Sequence, residues 1–535
     1  MALVRIDDVA AHGIITDIAP YELPPGAWSQ GVNVRFKDRK VQKFLGHSAV
    51  FGAPSITPYT LFSVQTLTQA YWIYAGLTKV YGTDMTSHFN LTRQTAGVDV
   101  NYGATEERKW NGGVLNGIPI LNNGVDEPQM WNPVSSGQRL QLLSNWSTWP
   151  GGVSTRARVI RPAFRYFLIA LGITEGGVEN PHNVAWAQPA DPGAVPTSWN
   201  YSSATLDTGI TPVADTPGSL LDLVMLGDVG VLYKDDSSYV MQFVGGQSIF
   251  RITPTPLKFG LLATDCAKPL PGFHFMATQD DIVVHDSRQA RSVVTERVRQ
   301  IVFDNIDNTY KGRSYVVANY RKSEMWFCYP ESGQSQPTKA LVWNWENNTT
   351  TFRELGALTP HIAPGVVQTN VGAQDWDADS GTWDSDSTLW DQRFFDPANT
   401  SLLIARSQAT AALYLADSTN QFAGANMTSY VERSGITIVG RDYRGEPKID
   451  PDSIKLVKRI LPRISGGPVQ VYVGAQSLKD GAISWSSAMT FDPTTKNELQ
   501  CYSVSRFPAV RFESVSDVHW SLDGYELDIE LAGKF

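Results

Sequence analysis

Residues 60–81 read TLFSVQTLTQAYWIYAGLTKVY. Three apolar runs, Thr60-Leu61-Phe62-Ser63-Val64, Tyr71-Trp72-Ile73-Tyr74-Ala75 and Lys79-Val80-Tyr81, are separated by short breaks. Runs this brief, rich in aromatic and β-branched residues, predict strands joined by tight turns. The pattern recurs from Gly113, Arg158, Leu220, Phe273 and Tyr315, the last unit ending near Trp345. A recurrence of roughly 40–50 residues with up to four strands per unit is the signature of β-propeller blades. Six blades over 56–355 is the expectation, and a stacked pair of β-sandwiches is the competing architecture.

Composition points the same way. Forty-four Gly and 31 Pro break helices, while an aromatic content of 11% suits strands. One helix is expected within 292–306, where Val294, Val298 and Ile301 recur at spacings of four and three. No apolar run approaches the ~20 residues of a membrane-spanning helix. Residues 1–20 carry Arg5, Asp7, Asp8 and Asp17 without an apolar centre, unlike a secretory signal. The three cysteines, Cys266, Cys328 and Cys501, are far apart and show no metal spacing, which fits folding in a reducing cytoplasm. A net charge of −9 argues against a protein that grips phosphates, and is compatible with DNA passing without sticking.

Several candidate sites resolve to bland readings. Residues 375–391 hold a heptad-like Trp-Asp echo at Trp376, Trp383 and Trp390. Asp375, Asp377, Asp379 and Asp386 stand at calcium-loop positions one, three, five and twelve, but Ser380 replaces the glycine required at position six. A repeated turn with packed indoles and solvated carboxylates is the simpler reading. His274 and His285 lie near Asp280, Asp281 and Asp286, yet Phe273 and Phe275 are expected to face the core and turn His274 away from it. Glu106-Glu107-Arg108-Lys109 reads as a solvated charged loop. Basic residues cluster at Arg35, Lys37, Arg39, Lys40 and Lys43, and again at Lys455, Lys458, Arg459 and Arg463. These fit a nucleic-acid patch, an acidic neighbouring subunit or plain surface charge. No nucleophile elbow, zinc-protease motif, phosphate loop or dinucleotide fingerprint occurs, so neither an enzyme nor a cofactor or metal is expected.

The N-terminal stretch 13–46 is a different kind of element. Pro20, Pro24 and Pro25 make an extended arm. It leads into a hairpin in which Val32, Val34 and Phe36 share one face and residues 41–44 return across Lys37-Asp38-Arg39-Lys40. Too short to form its own core, it must lie on the rest of this chain or on a neighbouring subunit. The run Asp17, Pro20, Glu22, Leu23, Pro24, Trp28, Ser29, Asn33, Val34, Arg35, Phe36 resembles the N-terminus of short-tailed phage tail nozzles. These are also called tail tubular protein B, packaged-DNA stabilisation or tail hub proteins. Family members carry Asp-Gly where this chain has Asp38-Arg39, which leaves the turn type open. Residues 273–286, 340–355 and 509–535 are similar to the same family.

The resemblance implies a structural virion protein of the tail, made in the host cytoplasm. Six copies would form a homohexameric ring below the portal and its head-to-tail adaptor, contact tail fibres or spikes, and retain and eject double-stranded DNA through their channel. Its assembly interface would be Pro20, Tyr21, Leu23, Pro24, Trp28, Asn33, Arg35 and Phe36, with Trp28 and Phe36 as anchors. The alternative is a tail propeller that binds or hydrolyses host-surface glycan. The expected division is an arm at 1–55, an all-β propeller at 56–355, an acidic Trp/Asp-rich insertion at 356–425 and a β-sandwich-like domain at 426–535.

Overall fold

The computed structural model describes residues 2–66, 69–246, 248–367, 400–407, 412–441, 447–479, 481–514 and 516–534. Strands dominate it, and Glu296–Asn305 is the one α-helix among the described residues. Val298 and Val302 are its buried positions, whereas Ile301, expected inward, is exposed.

Seven four-stranded antiparallel units follow one another, one more than expected. Their first strands are Thr60–Gln65, Asn111–Leu115, Thr155–Ala163, Leu220–Leu226, Ala267–Leu270, Tyr315–Asn319 and His361–Val366. Each first strand packs beside the next, and His361–Val366 packs against Thr60–Gln65, closing a ring. Both faces of a blade are covered by its neighbours. Inner strands therefore read as continuous apolar runs: all six residues of Ala70–Ala75 are buried.

The seventh blade was hidden by its construction. Its strands His361–Val366, Thr400–Ala405 and Leu413–Ala416 fall inside the stretch expected to be an insertion. Its outer strand, His47–Val50, comes from the stretch expected to be the N-terminal arm and hairpin. A strand borrowed across more than three hundred residues leaves no local period. It joins the two ends of the ring and covers an otherwise open sheet edge.

The C-terminal domain is a two-sheet sandwich. Ala2–Asp7, Val34–Lys37 and Lys40–Lys43 join Trp520–Lys534, Ser453–Gly466 and Leu499–Ser505 in one sheet. Gln30–Val32, Ser429–Arg433, Phe507–Ser514 and Val469–Gln476 form the second. Val4, Trp28, Val34 and Phe36 share its core with Val457, Val471, Phe512, Trp520 and Leu527. The second sheet is continuous with blade six, because Val32 pairs in parallel with Phe352. Propeller and sandwich are thus joined through the N-terminal segment.

Candidate functional site

The N-terminal motif lands at that joint. Asn33 adopts φ +57°, a left-handed conformation that asparagine tolerates. The kink separates Gln30–Val32 from Val34–Lys37, so Val32 packs on the propeller core while Val34 and Phe36 enter the sandwich. The three do not share one face. Asn33 Nδ2 donates to the Thr428 carbonyl at 2.7 Å, and its Oδ1 accepts from the Glu354 amide at 2.9 Å. The hairpin turn has two residues, Asp38 and Arg39, both at positive φ, so the twist-matched turn survives without glycine.

Trp28 is 1% exposed; it donates from Nε1 to the Val9 carbonyl and lies against Phe512 and Tyr525. Leu23 and Phe36 are also buried, while Pro20, Tyr21 and Pro24 are half-buried. Arg433 donates to the carbonyls of Pro20 (3.1 Å) and Leu23 (2.8 Å), and Thr437 to that of Tyr21. Trp28 and Phe36 are consumed inside the chain, which corrects their expected role as anchors on a neighbouring subunit. Asp17 has a local task as well. Its carboxylate accepts from the amides of Glu296 and Arg297 at 2.9 and 2.7 Å, capping the helix Glu296–Asn305 from outside. Thr295, at the usual capping position, makes no such bond. Asp17→Ala should therefore lower stability by about 1 kcal/mol, read as a shifted urea midpoint, and Asp17→Asn by less.

Arg35 is the centre of the joint. It forms an ion pair with Glu324 of blade six and, at 3.0 Å, with Asp417, just after the strand Leu413–Ala416 of blade seven. Asp417 also pairs with Arg353 at 3.1 Å, and Arg353 lies over the Trp326 ring at 4.2 Å. Trp326 Nε1 donates to Glu324 at 3.0 Å. Burial alone would raise the Asp417 carboxyl, but Arg35 and Arg353 outweigh it and hold it below the ordinary value.

Apart from Lys37, the two basic clusters are spent inside the fold or in ion pairs. Arg35, Lys43 and Lys455 are buried. Arg39, Lys40, Lys458, Arg459 and Arg463 pair with Asp8, Asp523, Glu530, Asp528 and Asp7. His274 and His285 are buried too, and Phe273, expected in the core, is exposed. They share Tyr233: its hydroxyl lies 2.6 Å from His274 Nδ1 and 2.8 Å from His285 Nε2. His285 Nδ1 accepts from the Ser287 amide and His274 Nε2 donates to the Met225 carbonyl, so both rings are neutral and saturated. That is a structural network. Residues 375–391, with the calcium-loop near-match, lie outside the described residues; no metal-holding cluster occurs among the described ones.

A second polar site lies on the propeller axis. A cavity of about 230 Å³ is lined by first strands of six of the seven blades. Arg161 donates to both oxygens of Asp222 (2.7 and 3.0 Å), to Asp265 (2.9 Å) and to the Gly112 carbonyl. Lys268 pairs with Asp265 at 3.2 Å. Lys109 donates to the Pro360 carbonyl at 3.3 Å and lies over the Tyr315 ring. His361 Nδ1 accepts from the Leu61 amide at 3.2 Å, so its neutral ring carries the proton on Nε2. Burial, with Lys109 next, pushes His361 down to about 3. Of the charged loop, Glu106 and Glu107 pair with buried Arg313 rather than with solvent alone.

No family model and no curated protein sequence matches the chain. Similar solved structures include the AfRom2 CNH domain, at 7% identity over 70% of this chain and 98% of that one, TM-score 0.36. The Neurospora crassa Pan2 WD40 domain is 7% identical over 70% of this chain and 95% of that one, TM-score 0.35. PorZ of Porphyromonas gingivalis is 9% identical over 85% of this chain and 46% of that one, TM-score 0.34. The propeller assignment rests on the chain's own strand pairing.

Proposed function

We propose that the protein is a structural subunit of a short phage tail, the nozzle, in which six copies ring a channel that retains and conducts double-stranded DNA. The observation that supports this reading is the joint at Arg35 and Asn33. The residues of the nozzle-like N-terminal motif are the ones that lock propeller and sandwich together, as a part bearing mechanical load requires. The propeller axis is not the conduit: a duplex whose major groove alone is about 12 Å wide cannot enter a 230 Å³ cavity. DNA would pass between copies, along a surface whose net charge of −9 repels it.

With Trp28 and Phe36 buried, contact between copies falls to surfaces the fold leaves open. The strand Leu499–Ser505 ends its sheet and exposes Tyr502 (80%) and Val504 (59%), an apolar edge suited to pairing with another copy. Deleting residues 1–46 would not test assembly, since it strips strands from both sandwich sheets. Electron micrographs of the purified protein should show six-fold rings with a DNA-width hole. Tyr502→Glu with Val504→Glu should give folded monomers. Wild-type monomers, or depolymerase activity on host polysaccharide, would count against the nozzle; rings that survive the double substitution would move the interface elsewhere.

A further inference from the structure

We propose that the axial cavity of the propeller binds a small oxyanion, phosphate or carboxylate, through Lys268, the Nε2–H of His361 and the hydroxyl of Thr60. In its lining the unused donors outnumber the unused carboxylate oxygens. Asp222 is saturated: it accepts two bonds from Arg161, one from the Leu223 amide and one from the Asp265 amide. Asp265 accepts from Arg161 and Lys268, both at Oδ1, and its Oδ2 is left without a hydrogen bond among the described residues. The donors are less fully used. Thr60 is 2% exposed, lines the cavity, and its Oγ1 has no hydrogen-bond partner among the described residues. His361 spends only Nδ1, and Lys268 donates one bond, to Asp265.

The charge is unbalanced in the same direction. Arg161 and Lys268 share Asp222 and Asp265, and a third cation, Lys109, stands close by outside the lining, its ammonium pulled below its ordinary value by burial despite Asp265. An unpaired cation in a confined site is costly, and a bound anion removes the imbalance. What fits is acceptor-rich, negative and small. The cavity far exceeds the roughly 10–15 Å³ one water needs, and is too small for a polymer.

The experiment is calorimetric titration and thermal melting of the full chain with inorganic phosphate, acetate and, at matched ionic strength, sodium chloride. One saturable site per chain and a raised melting temperature are expected with phosphate or acetate but not chloride, and the preferred of the two identifies the anion class. Thr60→Val keeps shape and removes an unpartnered hydroxyl. It should leave the ligand-free melting temperature unchanged or higher and weaken binding about tenfold. Lys268→Met should abolish binding. No effect of either anion beyond that of chloride would overturn the proposal, as would binding undiminished in both variants. Neither result depends on whether the chain forms rings.

Discussion

Replacing Arg35 by methionine is expected to lower the stability of the folded chain by about 3–5 kcal/mol. Arg35 connects three elements: its own strand in the sandwich, Glu324 in blade six and Asp417 behind blade seven. The side chain of Glu324 is 1% exposed, and without Arg35 its charge keeps the Trp326 indole as its hydrogen-bonding partner. Asp417 keeps Arg353. The loss comes from the carboxylate left buried rather than from the absent pair, so Arg35→Met with Glu324→Gln should recover a large part of it. Arg35→Lys should not, because one ammonium cannot span both carboxylates as the guanidinium does. Urea unfolding followed by tryptophan fluorescence would check this, and a midpoint unchanged in Arg35→Met would refute the clasp.

Acid should weaken the protein well before its carboxylates titrate. Burial, and then Arg406 and Arg353, push His47 down to about 3; burial and then His274 do the same to His285. In the unfolded chain both rings take up a proton near pH 6.5, while in the fold they stay neutral until about 3. The unfolded state therefore binds more protons throughout that window. Stability is full above pH 6.5 and falls as pH drops toward 3, by about 2 kcal/mol per histidine at pH 5. His361 adds to the same trend. His47 sits at the start of the strand that closes blade seven, hydrogen-bonded to Arg406 and against Phe422 and Tyr414. Protonating it sets two cations side by side where the ring is held shut. Melting temperatures should drop clearly between pH 8 and pH 5, and His47→Gln should flatten that drop while lowering stability at pH 8. Equal melting temperatures at the two pH values would sink this account.

The repeat starting at Thr60 and the continuous apolar runs such as Tyr71-Trp72-Ile73-Tyr74-Ala75 were legible because blade strands are local in sequence and buried on both faces. The hairpin at Val34–Lys37 and Lys40–Lys43 was legible from its turn. The fifth blade's first strand, Ala267–Leu270, reads Ala-Lys-Pro-Leu and carries no apolar signal. The axial site left even less trace. Thr60, Arg161, Asp265, Lys268 and His361 are spread over some 300 positions and come together because the blades point their first strands at one axis.

By itself, the sequence determined an all-β chain of repeated antiparallel units with an N-terminal arm that had to be buried. Those properties follow from short-range periodicity and from the need to cover apolar side chains. What covers the arm was decided only in three dimensions. His47–Val50 completes blade seven, Gln30–Val32 bridges propeller and sandwich, and Arg35 finds its carboxylates 289 and 382 residues away. Contacts at such separations are set by ring closure and by desolvated charge seeking a partner, and neither leaves a pattern in neighbouring residues.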